Sequence, residues 1–123
     1  MKIRVYYEDT DTGGIVYHSK YLNFCERARS ELFFQRGIMP GEGSSNGFVV
    51  HKINAGFLGS AKLGDLLEVK SRILLQRHTS LLLLQEIFKE EQKLFEMEVR
   101  LVYTEEGKIS RIPDTFLEIF KNF

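Results

Sequence analysis

The sequence predicts an α+β domain, with one long helix lying on one face of a mostly antiparallel sheet. Three observations lead there. From about Ser19 to Arg36, apolar residues recur at helical spacing over a long run. Between Phe48 and Tyr103, apolar and polar residues instead alternate with the period of two that marks strands. Short polar turns join these strands, whereas parallel neighbours need crossovers of roughly a dozen or more residues. Doubly wound and P-loop architectures are thereby removed. The 123 residues suffice for a core of their own, and residues 1–123 are expected to form a single domain.

The first strand is expected where Ile3, Val5 and Tyr7 alternate with Lys2, Arg4 and Tyr6. A loop rich in acids and glycines follows. In the long helix, Tyr21, Phe24, Cys25, Ala28, Leu32 and Phe33 make the apolar stripe, with Ser19 as N-cap and Gly37 as stop. Gly37 to Gly47 reads as a mobile loop. Phe48 to Phe57 is a strand with Val49, Ile53, Ala55 and Phe57 on one side and His51 among them. Leu58 to Asp65 connects it to a half-buried strand in which Leu67, Val69, Ser71, Ile73 and Leu75 share a face. Leu81 to Phe88 starts apolar on both faces, as a central strand does. Phe95, Met97, Val99, Leu101 and Tyr103 mark the next strand. Ile112-Pro113-Asp114 opens a short C-terminal helix, with Pro at its first position and Phe116, Leu117, Ile119 and Phe120 facing inward.

Hydrophobic residues at 43% and charged residues at 28% fit a globular chain. Seventeen basic residues balance seventeen acidic ones, so composition gives no support to nucleic-acid binding or membrane-surface attraction. No apolar run approaches the ~20 residues that span a bilayer. The N-terminus has none of the features of a signal peptide, and the single cysteine, Cys25, has no internal disulfide partner. A cytoplasmic location is expected.

The chemistry concentrates in Tyr6-Tyr7-Glu8-Asp9-Thr10-Asp11-Thr12-Gly13-Gly14-Ile15-Val16-Tyr17-His18, where a carboxylate-bearing loop runs into a helix N-terminus. Such an end presents unpaired N–H groups and partial positive charge. A calcium loop starting at Asp9 is excluded, because its twelfth position is Lys20 rather than a bidentate Glu. A phosphatase-type Asp-x-Asp-x-Thr is excluded as well, since Gly13 stands where Thr is needed. Two possibilities remain. One is a solvated acidic turn that complements the helix dipole. The other is a catalytic carboxylate at Asp11, with Gly13 and Gly14 admitting close approach of a ligand and His18 able to share protons.

His51 and His78 lack comparable surroundings and are assigned structural roles, as is Cys25 on its apolar helix face. The three histidines are not spaced as zinc ligands, so no metal is expected. No Gly-x-Ser-x-Gly is present to support a serine triad. Ser60-Ala61-Lys62-Leu63-Gly64-Asp65 is either an ordinary turn or a basic rim able to touch a phosphate-bearing tail.

The stretch Tyr6 to His18, with Tyr21-Leu22 and Glu26-Arg27-Ala28-Arg29 after it, resembles the hotdog-fold acyl-CoA thioesterases. The nearest branch is the YbgC type, related to 4-hydroxybenzoyl-CoA thioesterase. Ala61 to Val69 also matches that family, although many hotdog proteins share this second motif. The resemblance implies a curved antiparallel sheet wrapped around the long helix, and hydrolysis of acyl-CoA to free acid and coenzyme A. It places the catalytic aspartate at Asp11 and the carbonyl-polarising N–H near His18. Tyr7 and His18 fall on supporting positions, and Gly13, Gly14, Tyr17, Ser60 and Lys62 on the substrate-contacting ones. Many relatives carry a Pro or Arg near Ser60 to Lys62, where this chain has neither.

The same resemblance implies a homodimer with a continuous sheet and sites at its interface, often paired into a dimer of dimers (a homotetramer). It also implies a cytoplasmic role tied to lipid metabolism or the Tol–Pal envelope system. No cofactor is implied, because coenzyme A is part of the substrate; acyl carrier protein is a further candidate partner. Two other readings stand beside hydrolysis. One is a non-catalytic hotdog protein that binds acyl-CoA or acyl carrier protein, for which a carboxylate at Asp11 has no use. The other is a dehydratase, for which Glu26 is the one acid early on the helix face.

Overall fold

The computed structural model describes residues 1–39 and 47–121. Positions 40–46 of the loop expected over Gly37 to Gly47 lie outside the described residues. The described chain forms strands β1 (Lys2–Arg4), β2 (Gly47–Phe57), β3 (Leu66–Gln76), β4 (Ser80–Lys89), β5 (Gln92–Glu105) and β6 (Lys108–Ile109). It also forms helices α1 (Lys20–Phe34) and α2 (Asp114–Phe120). The sheet runs β1-β3-β4-β5-β2, every pairing is antiparallel, and β6 extends β5. This is the α+β plan the periodicities predict: a curved antiparallel sheet with one long and one short helix.

α1 turns Tyr21, Phe24, Cys25, Ala28 and Phe33 onto the sheet's inner face. There they join Leu67 and Val69 of β3, Leu81, Leu83 and Ile87 of β4, and Phe95, Met97, Val99 and Leu101 of β5. Each large side chain fully buried in this layer contributes roughly 1.5–3 kcal/mol. Gly37 ends the helix as expected: its N–H donates to Phe34 O at 2.9 Å and the Ile38 N–H to Phe33 O at 3.0 Å. Phe116 and Phe120 of α2 close over that end, each with its ring centroid 5.5 Å from Phe33.

Several expectations are corrected. β1 ends at Arg4, and Tyr7 opens a 3₁₀ turn over Tyr7–Asp9, because the Asp9 carboxylate takes the Tyr6 N–H at 2.9 Å and bends the chain off the sheet. α1 is shorter at both ends than Ser19 to Arg36, and Ser19 makes no side-chain cap, because a turn with Lys20 N–H on Tyr17 O already leads in. Pro113 stands one residue before α2, as its N-cap. A bulge between Val50 and Lys52 puts Val49 opposite Val102, on the outer face, while Ile53 lies opposite the inward Val99. A second bulge between Ile73 and Leu75 likewise puts Leu75 opposite Leu82 on the outer face. The pair Lys108–Ile109 forms the short strand β6.

β2 matters most for the site. It is a sheet edge that α1 meets near its two ends, through Phe33 with Phe48 and Tyr21 with Phe57. Val50, Ile53 and Phe57 face the helix side yet stay 45%, 36% and 51% exposed, although their cross-strand partners Leu101, Val99 and Phe95 are buried.

Candidate active site

The acidic loop folds on itself before it meets the helix. Asp9 is buried, at 2% exposure, and its carboxylate anchors the 3₁₀ turn. Thr10 pairs with Val16 across a tight turn in which Gly14 N–H donates to Asp11 O at 3.0 Å and Asp11 N–H to Ile15 O at 2.9 Å. Gly14 has φ +81°, a conformation that most side chains resist. At the tip, exposed Asp11 accepts the Gly13 N–H on Oδ1 at 2.8 Å, which orients the carboxylate. A Cβ on Gly13 would stand 3.2 Å from Asp11 Oδ1, so a side chain there would press on the carboxylate.

The connector before β3 lies alongside this loop. Val16 N–H donates to Ala61 O at 2.9 Å, and Ile15 bridges to Lys62. Lys62 N–H donates to Asp65 Oδ2 at 2.8 Å, and Lys89 Nζ sits 3.0 Å from Asp65 Oδ1. Burial acts to raise the Asp65 carboxyl, but the Lys62 amide and the Lys89 ammonium outweigh it and hold the group below the usual carboxylate range. Ala61 N–H in turn donates to the buried Tyr21 hydroxyl at 3.0 Å. Burial pushes that phenol up, so it stays neutral and ties the first turn of α1 to the connector.

The helix start closes the arrangement. Tyr17 N–H donates to Asp9 O at 2.9 Å, docking the entry of α1 against the acidic turn. The His18 ring lies 4.4 Å from Tyr17 and 6.3 Å, edge-on, from Phe57 at the end of β2. Among the described residues, the backbone N–H groups of His18 and Ser19 have no acceptor. Two free donors, a helix positive end and a carboxylate one short turn away form an electrostatic frame for a carbonyl that develops negative charge.

Of the residues singled out from the sequence, Asp11, Gly13, Gly14, Tyr17, His18 and Lys62 gather on this one loop–helix–connector junction. Ser60 lies beside them, exposed. Tyr7 is on the preceding turn with its side chain 82% exposed, and its carbonyl accepts from Thr10 N–H and Oγ1. Cys25 is buried mid-helix; burial pushes its thiol up to about 12 against the opposing pull of Arg29, so it is not a nucleophile at neutral pH.

Two participants escaped the sequence reading. The Tyr21 hydroxyl is one, and its signal was a tyrosine in an apolar stripe, whose O–H needs a partner when buried. Gln85 is the other, an amide at an inward position of β4 between Leu83 and Ile87.

Residues 13–96 match the thioesterase superfamily. The chain belongs to that family. It is 48% identical over 88 residues to a Helicobacter pylori protein named acyl-CoA thioesterase YbgC, a match covering 72% of this chain and 65% of that protein's length. It is 39% identical to an Escherichia coli O157:H7 protein named acyl-CoA thioester hydrolase YbgC, with 97% and 92% of the two chains covered. The crystal structure of a probable thioesterase from Bartonella henselae superposes with a TM-score of 0.83 at 33% identity, covering 92% and 97%. These relatives agree with the resemblance carried by Tyr6 to His18, and the thioesterase match begins at Gly13, inside the acidic loop.

Proposed function

We propose that this thioesterase-superfamily member hydrolyses acyl-CoA thioesters to free acid and coenzyme A. The observation that carries the proposal is the pair of His18 and Ser19 N–H groups, without acceptors among the described residues, at a helix start that the Tyr17 N–H docks on Asp9 O, two residues before Asp11. The relatives at 48% and 39% identity, named acyl-CoA thioesterase and acyl-CoA thioester hydrolase, support the same substrate class.

The thioester carbonyl oxygen lies at the start of α1, where the two amides and the helix end stabilise charge as the carbonyl becomes tetrahedral. Asp11 supplies the anion. It either attacks the carbonyl carbon, expelling the thiolate and leaving a mixed anhydride for water to open, or removes a proton from the attacking water. Both routes end with the acid and the free thiol. His18 and Tyr17 border the carbonyl, Gly13 and Gly14 let the substrate approach the backbone, and Tyr7 supports the loop through its carbonyl, which accepts from Thr10. Every step uses the chain's own groups, with neither metal nor bound cofactor.

The active unit is a homodimer, which can pair further into a tetramer. β2 supports this: among the described residues it is an edge strand with an unpaired side and an exposed apolar stripe at Val50, Ile53 and Phe57. A second copy pairing there antiparallel continues the sheet, covers the stripe and brings the far end of one protomer toward the acidic loop of the other. That far end carries Arg77, Arg111 and Lys121 around a cleft of about 590 Å³. These cations and Lys62 at the loop are the groups we assign to the coenzyme A phosphates, with Ser60 on the same rim. Cytoplasmic acyl-CoA, or acyl carrier protein bearing the same thioester, is the expected partner; no described helix is long and apolar enough to cross a membrane.

Free-thiol release from a panel of short, aromatic and long acyl-CoAs tests the proposal. Release with stoichiometric acid from at least one of them is expected, and silence across the panel refutes the activity. Cys25 adds little background to a thiol reagent in the folded protein, because it is fully buried.

A further inference from the structure

Gln85 is fully buried on the inner face of β4, with Leu83 and Ile87 on either side of it. Its amide is engaged on three sides. Nε2 donates to the Cys25 carbonyl of α1 at 3.0 Å and to Ser71 Oγ of β3 at 3.0 Å. Oε1 accepts from Arg29 Nη1, one turn further along α1, at 2.8 Å. One side chain thus joins the helix at two points to two strands. A leucine here would fill the core without desolvating an amide, so packing alone does not call for glutamine.

The rest of the helix–sheet contact is apolar: Phe24, Cys25, Ala28 and Phe33 on α1 against aliphatic and aromatic side chains below. Such contacts are not directional, and on their own they tolerate small slides and rotations of a helix along a sheet. Hydrogen bonds are directional and fix the register. Among the described residues, the Gln85 cluster is what ties α1 to the sheet by such bonds, and the Tyr21–Ala61 bond ties its first turn to the connector. Cys25 lies seven residues beyond His18, which is about 10 Å along a rigid helix. A shift at the cluster therefore reaches the helix start nearly undiminished. A misplacement of about 1 Å in a reaction centre lowers the rate on the order of a hundredfold.

We propose that Gln85 is a positioning residue: by gripping Cys25, Arg29 and Ser71 together it sets α1 lengthwise on the sheet, and with it the His18 and Ser19 amides relative to Asp11. The inference rests on thioester hydrolysis at that helix start.

The test compares wild type, Gln85→Met, Ser71→Ala and Ile87→Ala by acyl-CoA turnover and thermal unfolding. Gln85→Met keeps side-chain length and removes all three bonds; kcat should fall about 10- to 100-fold with KM within about threefold. Ser71→Ala removes one bond, folds more readily, and should lose a smaller part of kcat, again without a change in KM. Ile87→Ala, at the next inward position of β4, should lower the unfolding temperature at least as much while kcat stays within about twofold. A folded Gln85→Met with wild-type kcat overturns the inference, as does Ile87→Ala losing kcat in proportion to its lost stability. If Gln85→Met does not fold, unchanged kcat in Ser71→Ala overturns it. An inactive wild type instead removes the hydrolysis reading on which it stands.

Discussion

Asp11→Asn should lower acyl-CoA turnover by about 10²–10⁴-fold, the range for loss of a positioned base or nucleophile, while leaving the fold intact. The geometry separates the two effects. The turn uses Asp11 only as an acceptor of the Gly13 N–H, at 2.8 Å, and asparagine offers the same Oδ1 at the same reach. Asp11 is exposed at the loop tip, so the change buries nothing and strips no partner from the core. Its unfolding temperature should match wild type within about 2 °C, the scale expected of a surface change of up to ~0.5 kcal/mol. What disappears is the anion. KM should change little, because the carboxylate is not proposed to hold the substrate. Loss of rate through misfolding would appear in the unfolding curve, and wild-type turnover by a folded variant would strip Asp11 of its role.

Ile53→Asp should convert the protein to a monomer and abolish most of its activity. Ile53 lies in the middle of the uncovered stripe of β2, opposite Val99 and 36% exposed in the single chain. An aspartate there reaches water in a monomer, so each chain should still fold. In a dimer paired through β2 the same aspartate is buried once per copy, near its own symmetry mate. Leaving a buried charge uncompensated costs about 3–5 kcal/mol, and repulsion between like charges adds to it. Gel filtration and sedimentation read the mass directly, and turnover is measured on the same sample. A dimer that survives the change, or a monomer with full activity, would show that the site does not need the β2 edge.

The sequence made the architecture legible where one physical signal dominated. The 3.6-residue repeat from Tyr21 to Phe33 marked α1, and the alternation from Phe95 to Tyr103 marked β5, because each buries one face against a single layer. It misled where a local hydrogen bond outweighed the pattern. Tyr7 continues the apolar alternation of Ile3 and Val5, yet the Asp9 carboxylate captures the Tyr6 amide and turns the chain away. Val49 and Leu75 were placed on the wrong faces because a bulge adds one residue that composition does not announce.

The candidate site was legible in part for a similar reason. Asp11, Gly13, Gly14 and His18 are close in sequence, so their clustering could be read directly. Lys62 joins them only through the antiparallel contact between the connector and Ile15, a long-range pairing that spacing does not encode. Gln85 was harder still. A polar residue in an apolar strand looks like an ordinary alternation until its partners on α1 and β3 are in place.

The most direct measurement is a crystal structure with an acyl-CoA analogue whose thioester sulfur is replaced by a methylene, so that the carbonyl remains but cannot be cleaved. Its carbonyl oxygen should sit about 2.7–3.1 Å from the His18 and Ser19 amide nitrogens. An Asp11 carboxylate oxygen, or a water held by it, should stand about 3–3.5 Å from the carbonyl carbon. A carbonyl bound away from the start of α1, with Asp11 still turned to solvent, would contradict the assignment of the reaction centre.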